Sequence, residues 1–386
     1  MKPEKLKLLC DSTTSVYEIN RLIVTIFLNC NGIESVNNKY ISSFIISESD
    51  SSFETFSELL DKLKIVTFDD LIKAFEFIIS PVDKVVTGAI YTPKIIRQNI
   101  IDSILTHHSY NKDFTICDPA CGCGGFLLSA TKKIKELNPQ ISYYEIYKDS
   151  IFGLDLKEYS VERTKILLHL LAIKNGEDRD SFLLNIFVGN ALDFDWVRMF
   201  THDFNGFDVV IGNPPYVTSR NIDEVSLGLL ENWSVCTTGH PDLYIPFFEI
   251  GISILKKGGV LGYITMNTFF KSLNGRALRE FFNNRRLKLS ITDFGSEQVF
   301  SSKNTYTCIC IIEIIHSSEI NYRKLSHLSE LTSIEYSTVK YDVLDHLRGW
   351  NLSHSNVITK IENIGKPLKS LYKINTGIAT LKNSVY

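Results

Sequence analysis

Long hydrophobic runs are missing from this sequence. No window approaches the roughly 18 uncharged apolar residues of a transmembrane helix, and the N-terminus, MKPEKLKLLCDSTTS, has no apolar stretch of signal-peptide length. An excess of basic residues is missing too, since the 386 residues carry a net charge of -3. We therefore expect a cytoplasmic protein. Its overall charge does not point to a nucleic-acid partner, although a local basic groove on a neutral protein is compatible with one.

Regular cysteine spacing is also absent. Eight cysteines without a CxxC pair, in a chain of this size, indicate reduced thiols rather than a disulfide framework. Cys117, Cys121 and Cys123 lie close together in the chain, and Cys308 and Cys310 form a second group, but no histidine lies near either group. We therefore expect no metal site.

The apolar residues that are present divide the chain into three regions. Hydrophobic content is 44%, enough to bury one large core or two moderate ones. Residues 1–80 have the spacing of amphipathic helices, as in Ile19, Leu22, Ile23, Ile26 and Phe27, which predicts a small N-terminal helical region. Residues 81–318 have a different pattern, and residues 319–386 are polar and mixed, which predicts a C-terminal extension.

The central region alternates short apolar strands with helical stretches. In chain order these segments are TICD, FLLSATKKIKEL, IFGLD, VERTKILLHLLAI, IFVGN, FDVVIGN, PFFEIGISILKKGG and VLGYIT. This alternation predicts an α/β fold with a doubly wound, mostly parallel sheet and helices on both faces. Two later runs, LSITDFG and YTCICIIEII, extend the sheet, the second as an antiparallel strand.

A glycine-rich loop follows the first strand of this region. Ligands of such sheets bind at the carboxyl ends of the strands, where the strand order reverses. Residues 118–125, DPACGCGG, lie there, and Gly122, Gly124 and Gly125 allow the backbone to pass close to a ligand at a helix N-terminus. The spacing is not GxGxxG, and no Lys-Ser or Lys-Thr of a phosphate-binding loop follows. On its own, the loop also fits an ordinary tight turn.

An acidic residue ends the next strand, IFGLD. Asp155 at this position can accept hydrogen bonds from both ribose hydroxyls of a nucleoside cofactor. A single Asp at a strand end is more commonly a helix cap. Its position one strand-helix unit after a glycine loop favours the cofactor role.

The segment FDVVIGNPPYV, residues 207–217, ends an apolar strand on two prolines. Proline has no amide hydrogen, so the pair ends the hydrogen bonding of the strand to its neighbours and restricts the backbone φ angles. Asn213 then offers a side-chain carbonyl and Pro214 a backbone carbonyl, which match the two hydrogens of an exocyclic amino group. Bonding both hydrogens favours a pyramidal nitrogen whose lone pair can attack a carbon. Tyr216 offers a face on which a planar base can stack. The alternative is an Asn-Pro turn with an exposed tyrosine.

The three segments together resemble a known family. DPACGCGGF, IFGLD and FDVVIGNPPYV, in this order, are similar to the motifs of S-adenosylmethionine-dependent N6-adenine DNA methyltransferases of restriction-modification systems. The resemblance covers about residues 85–315. It implies a seven-stranded Rossmann-like methyltransferase sheet, S-adenosyl-L-methionine as the cofactor and double-stranded DNA as a partner. The cofactor segment precedes the catalytic segment, which is the gamma arrangement of this family.

The resemblance also implies a role for individual residues. Thr92 of the Tyr-Thr-Pro segment contacts the methionine part of the cofactor, and Asn190, where the family often has Asp, lies at the cofactor adenine. Phe300 packs on the flipped base. The catalytic residues are Asn213, Pro214 and Tyr216, of which Tyr216 stacks on the base together with Phe300. The residues that bind the cofactor are Thr92, Asp118, Ala120, Gly122, Asp155, Asn190, Ala191, Pro215 and Phe247.

The C-terminus departs from the family pattern. The final stretch, INTGIATLKNSVY, resembles the start of a target-recognition domain, but residues 319–386 are too short for a complete one. We expect either a separate specificity polypeptide or a truncated chain. Nothing in the first 80 residues resembles a nuclease. Two alternatives stay open: a methyltransferase that acts on RNA guanine or a protein glutamine, and an inactive cofactor-binding subunit of a defence complex.

Overall fold

The computed structural model describes residues 6–9, 15–79, 88, 90–106, 114–200, 204–300, 306–332, 335–353, 361, 364, 366 and 368–373. The final stretch INTGIATLKNSVY and residues 301–305, which follow Phe300, lie outside the described residues. Along the described parts of the chain, no helix combines the length and the apolar character needed to cross a membrane.

One sheet of nine strands forms the centre of the fold. Its strands are β1 Ile116–Asp118, β2 Ile151–Asp155, β3 Asn185–Val188, β4 Phe207–Gly212, β5 Leu255–Met266, β6 Leu287–Asp293, β7 Thr307–His316, β8 Glu319–Lys324 and β9 Ser337–Lys340. Their order across the sheet is β3-β2-β1-β4-β5-β7-β6-β8-β9.

Helices precede the sheet and connect its strands. They are α1 Val16–Cys30, α2 Lys39–Ser42, α3 Phe53–Lys62, α4 Phe68–Phe77, α5 Lys94–Leu105, α6 Gly125–Leu137, α7 Tyr143–Glu145, α8 Glu158–Lys174, α9 Trp196–Met199, α10 Glu224–Leu229, α11 Tyr244–Ser253, α12 Arg276–Arg285 and α13 Leu368–Leu371. A π-helical turn, Ile146–Ser150, precedes β2. The 3₁₀ turns are Ser219–Asn221, Leu230–Asn232, Ser234–Cys236, Asn267–Phe270, Leu328–Thr332 and Tyr341–Val343.

The doubly wound sheet is confirmed for the central region. Strands β1 to β4 and the part of β5 that begins at Val260 lie in the predicted segments. Strands β1 to β5 pair in parallel, with β1 between β2 and β4. The strand order therefore reverses next to β1, and the carboxyl ends of β1, β2 and β4 meet at one edge of the sheet. Strand β7 is antiparallel to both of its neighbours, β5 and β6, as its sequence predicts.

The predicted number of seven strands is wrong, because β8 and β9 add two more. Strand β8 pairs in parallel with β6, and β9 pairs antiparallel with β8. The sequence EINYRK of β8 contains three charged residues, but Ile320 and Tyr322 alternate with them and are buried. A short polar strand near a sheet edge has little apolar signal. The boundaries predicted for the helical region, the catalytic region and the C-terminal extension stay predictions.

A second difference concerns the segment PFFEIGISILKKGG, predicted as one helix. Helix α11 ends at Ser253, and β5 begins at Leu255, which pairs with Phe207 of β4. Gly258 has φ +80°, a left-handed conformation that favours glycine and is incompatible with a continuing helix. The pairing with β4 resumes between Val209 and Val260 after a register shift.

The N-terminal helices pack against α8, which follows β2. The ring centroids of Phe27 on α1 and Phe68 on α4 are 5.2 Å apart. Arg163 on α8 is buried and donates from Nη1 to the Phe75 carbonyl at 3.1 Å and from Nε to Asn20 Oδ1 at 3.2 Å. These contacts join the helices to the apolar core of the sheet and bring α4 next to the carboxyl edge of β1 and β2.

Candidate active site

A pocket lies at the carboxyl ends of β1 to β4, where the strand order reverses. Most of the predicted site residues line it: Thr92, Asp118, Ala120, Gly122, Asp155, Asn190, Ala191, Asn213, Pro215 and Phe247. These residues come from several separate segments of the chain, and the sheet brings them together. The other predicted residues, Pro214, Tyr216 and Phe300, are not among the residues that line this pocket.

The glycine loop lies between β1 and α6, and two neighbours hold it. Gly122 and Gly124 have φ +55° and +82°, in the left-handed region that favours glycine. The amide of Gly122 donates to Asp155 Oδ2 at 2.9 Å, and its carbonyl accepts from Thr164 Oγ1 at 2.9 Å. The loop is therefore bound to the end of β2 and to α8, with its backbone along the pocket.

Two carboxyl groups lie beside this loop. Asp118 Oδ1 accepts from the Ala120 amide at 3.0 Å, and burial, together with the nearby charge of Asp155, raises the pKa of Asp118 to about 8. Burial also raises the pKa of Asp155, while hydrogen bonds from the Lys157 and Gly122 amides act in the opposite direction. Asp118 is therefore mostly protonated at neutral pH.

Asn213 follows β4, and the nitrogen of its side-chain amide is hydrogen-bonded. Its Nδ2 donates to Thr92 Oγ1 at 3.0 Å and to the Ile90 carbonyl at 3.3 Å. Its Oδ1 is buried and has no hydrogen-bond partner among the described residues. The site thus contains a buried acceptor that a ligand amino group can satisfy.

Asn190 connects the pocket to α10. Its Oδ1 accepts from the Leu192 amide at 3.1 Å, and its Nδ2 donates to Ser226 Oγ at 3.2 Å. Asp223 caps the same helix by accepting from the Ser226 amide at 2.9 Å. Both Asp223 and Ser226 line the pocket, so α10 forms one of its walls.

Tyr216 and Phe300 contact each other edge to face. Their ring centroids are 6.0 Å apart at 81°, and the side chains are only 6% and 2% exposed. The interpretation as a turn with an exposed tyrosine is therefore wrong, because Tyr216 is buried. Within the described part of the chain, its hydroxyl has no hydrogen-bond partner. The stacking of a base on these rings stays a prediction.

Sequence reasoning missed the contribution of α4 to the site. Ile72, Glu76 and Ile79 line the pocket from the N-terminal helical region. A Cβ atom placed on Gly122 would lie 3.6 Å from Glu76 Oε1, which puts this carboxylate beside the glycine loop. The signal was a carboxylate at helical spacing between two apolar residues, a pattern that also fits an ordinary helix edge.

Arg97 was missed as well. It is 2% exposed and donates from Nε to the Thr92 carbonyl at 3.1 Å and from Nη1 to the Gly125 carbonyl at 2.6 Å. Its Nη2 lies 2.5 Å from Asp69 Oδ1 on α4. One buried guanidinium thus connects the Tyr-Thr-Pro segment, the start of α6 and the N-terminal helices.

Comparison with known proteins finds a matching family model and related sequences. Residues 149–300 match the family model described as Eco57I restriction-modification methylase. The type II restriction enzyme and methyltransferase RM.Eco57I of Escherichia coli is 27% identical over 270 residues, which cover 56% of this chain and 27% of that protein. The type II methyltransferase M.BstVI of Geobacillus stearothermophilus is 27% identical over 270 residues, 67% of this chain and 47% of that protein. The chain therefore spans less than half the length of these curated relatives.

Solved structures share the fold. A DrdV-DNA complex has a TM-score of 0.64 at 13% identity, covering 88% of this chain and 44% of that one. A putative class I S-adenosylmethionine-dependent methyltransferase from Listeria monocytogenes has a TM-score of 0.50 at 15% identity. The match covers 86% of this chain and 99% of that one. The chain therefore has the fold of the class I S-adenosylmethionine-dependent methyltransferases, and its sequence relates it to the type II methyltransferases of restriction-modification systems.

Proposed function

We propose that the chain is an adenine-N6 DNA methyltransferase, the modification component of a restriction-modification system. The observation that carries the proposal is the buried Oδ1 of Asn213, which has no partner among the described residues. Leaving a buried acceptor without a partner costs about 1–3 kcal/mol. The amino group of a substrate base supplies the missing donor, and Asn213 lies on the wall of the pocket where the cofactor is expected.

The residues of the pocket fit S-adenosylmethionine. The backbone of the glycine loop runs along the pocket at the start of α6, Asp155 lies at the end of β2, and Phe247 and Ala191 add apolar surface. When bound, this cofactor supplies a methyl group already activated on a sulfonium. We assign to its binding Thr92, Asp118, Ala120, Gly122, Asp155, Asn190, Ala191, Pro215 and Phe247.

The substrate amine is held by Asn213 Oδ1 and the Pro214 carbonyl. Each accepts one hydrogen of N6, which directs the nitrogen lone pair away from the two acceptors. Because hydrogen bonds to Thr92 and to the Ile90 carbonyl hold the Asn213 amide before the substrate arrives, catalysis relies on positioning and electrostatics. The target adenine leaves the DNA stack, and Tyr216 and Phe300 supply the aromatic surface for it.

Two kinds of comparison support DNA as the substrate. The similar proteins are named as type II methyltransferases, and one of the similar folds was solved bound to DNA. The order of the motifs and the asparagine-proline-proline-tyrosine segment support adenine as the base. A separate specificity polypeptide stays a prediction.

Incubation of the purified chain with labelled S-adenosylmethionine and, separately, duplex DNA, RNA and cell protein tests the proposal. Mass spectrometry of digested DNA should find N6-methyladenine. Asn213→Ala should abolish transfer while calorimetry shows cofactor affinity within about threefold of wild type, less than about 0.7 kcal/mol. Asn232→Ala, an exposed asparagine outside the pocket, is the matched control.

The other outcomes identify the alternatives. Label in RNA or protein but not in DNA contradicts the proposal and favours the guanine or glutamine substrate. Cofactor binding without label in any substrate favours the inactive subunit. Full activity of Asn213→Ala contradicts the role of its amide.

A further inference from the structure

We propose that Thr92 is a positioning residue for methyl transfer, because its hydroxyl, together with the Ile90 carbonyl, holds the Asn213 amide in the orientation that presents Oδ1 to the substrate. This inference rests on the proposed function, since it concerns the same reaction. It gives Thr92 a role besides the cofactor contact that family resemblance implies.

The orientation of the Asn213 amide follows from the chemistry of its neighbours. A side-chain amide can be turned by 180° with almost no change in shape, so its surroundings decide where oxygen and nitrogen lie. The Ile90 carbonyl, at 3.3 Å, can only accept a hydrogen bond, so the amide atom facing it must be the NH₂ group. Thr92 Oγ1, at 3.0 Å, accepts the second hydrogen. Both hydrogens of Nδ2 are thereby bound, and Oδ1 points away from these two acceptors.

Thr92 itself is held from several sides. It is buried, and its carbonyl accepts from Arg97 Nε at 3.1 Å. Arg97 is in turn paired with Asp69 on α4, and Pro93 restricts the backbone conformation of Thr92 from the next position. The branched side chain of threonine has few rotamers. The hydroxyl is therefore an acceptor of defined position rather than a mobile group.

Thr92 also lies where the cofactor pocket meets the catalytic amide. It lines the pocket together with Asn213. A hydroxyl that accepts one hydrogen bond still has its own hydrogen to donate. The same group can thus bind a pocket ligand while it orients the amide, and the two roles predict different kinetics. Loss of a cofactor contact lowers cofactor affinity, whereas loss of the amide orientation lowers the transfer rate with the cofactor saturating.

Three variants separate these roles. Thr92→Val keeps the shape and removes the hydroxyl, Thr92→Ser keeps the hydroxyl, and Thr131→Val removes a buried hydroxyl that bonds to the Leu127 carbonyl on α6, away from the pocket. The measurements are the single-turnover methylation rate of DNA at saturating S-adenosylmethionine and the cofactor dissociation constant by calorimetry.

We expect Thr92→Val to lower the single-turnover rate about 10- to 100-fold, because a small misplacement of a reacting group has effects of this size. Because Thr92 is also assigned to cofactor binding, the dissociation constant should rise about three- to tenfold, the effect of one lost hydrogen bond, and the loss of rate should remain when the cofactor is saturating. Thr92→Ser should recover most of the rate, and Thr131→Val should keep it. If Thr92→Val does not fold, Thr92→Ala removes the same hydroxyl with a smaller side chain, and the order Ser above Ala is expected.

Two results would overturn the inference while leaving the proposed function intact. In the first, the wild type is active, and the Thr92→Val variant loses cofactor affinity but keeps the wild-type single-turnover rate at saturating S-adenosylmethionine. The other is a Thr92→Ser variant that folds and is as slow as Thr92→Val, since the hydroxyl would then not matter. A wild-type chain that binds the cofactor but methylates no substrate contradicts the proposed function, and this inference with it.

Discussion

At the scale of single residues, the buried carboxyl group of Asp118 in the pocket has a strongly raised pKa. Burial, with the neighbouring charge of Asp155, raises its pKa from 3.8 to about 8. Between these two pH values the folded chain holds a proton that the unfolded chain has released. The contribution of Asp118 to stability is therefore fully present below about pH 4 and is lost as the pH rises through 8.

Asp118→Asn should remove this pH dependence. The amide keeps an acceptor for the Ala120 amide and has no proton to lose. In wild type, each unit of pH increase between the unfolded pKa of 3.8 and the folded pKa of about 8 should lower the free energy of unfolding by up to about 1.4 kcal/mol. Urea unfolding at about pH 5.5 and about pH 7.5 measures the slope, which should be flatter in the variant. Asp149→Asn, at an exposed site, is the control. Equal slopes in wild type and Asp118→Asn would contradict the prediction.

Tyr216 and Tyr244 form a natural pair for a second test. The Tyr216 hydroxyl is buried without a partner in the described structure, whereas the Tyr244 hydroxyl lies 3.0 Å from Thr268 Oγ1. Tyr216→Phe should therefore raise the free energy of unfolding by about 1 kcal/mol, and Tyr244→Phe should lower it by about the same amount. Denaturant unfolding of both variants measures the difference.

Measurements of methyl transfer distinguish a role of the Tyr216 ring from a role of its hydroxyl. Base stacking on an aromatic ring is worth about 1–3 kcal/mol, so Tyr216→Phe should keep most methyl transfer and Tyr216→Ala should lose most of it. Equal losses in the two variants would point to a function of the hydroxyl instead.

At the scale of secondary-structure elements, α4 carries a charge into the pocket that we propose binds the cofactor. Glu76 lies on the pocket wall beside Gly122, and S-adenosylmethionine has a net positive charge at neutral pH. Glu76→Gln keeps the size of the side chain and removes this charge. Cofactor affinity should fall about three- to tenfold, because the carboxylate is half-buried and its attraction is partly screened.

Calorimetry at low and high salt measures this effect. The loss should be larger at low salt, where screening is weaker. Glu54→Gln on α3, an exposed glutamate, is the matched control and should bind the cofactor as wild type does. Unchanged affinity of Glu76→Gln at low salt would remove Glu76 from the cofactor site.

At the scale of the whole molecule, the N-terminal helices share one apolar core with the sheet. Phe27 on α1 is completely buried, and its ring lies 5.5 Å from Lys174 Nζ on α8. The contacts predict that the helices and the sheet unfold together. The three tryptophans, Trp196, Trp233 and Trp350, all lie outside residues 1–80, so their fluorescence reports on the rest of the chain.

Phe27→Ala tests this cooperativity. Removing a buried phenylalanine side chain costs about 3–5 kcal/mol. If unfolding is cooperative, the transitions followed by tryptophan fluorescence and by circular dichroism should both move to lower denaturant by the same amount. Val66→Ala, at an exposed position of the same region, should move neither. A fluorescence transition that stays at the wild-type midpoint would show an independent N-terminal domain.

The sequence by itself determined the elements whose signals are local. Apolar runs specify β1 to β4 and the second part of β5, glycines specify the loop at residues 118–125, and two prolines follow Asn213 directly after β4. Each signal lies within a few consecutive residues, because strand formation, left-handed turns and the end of a ladder depend on the residues at that place. The general position of the pocket follows from them, since the carboxyl ends of parallel strands meet at one edge.

Only the tertiary structure decided the contacts between distant segments. Thr92 and Asn213 are 121 residues apart in the chain, and no local pattern shows that their side chains are hydrogen-bonded. The same holds for Glu76 beside the glycine loop, for the buried contact of Tyr216 with Phe300, and for the addition of β8 to β6. These features depend on how elements pack, and packing energy comes from surfaces that meet only after the chain has folded.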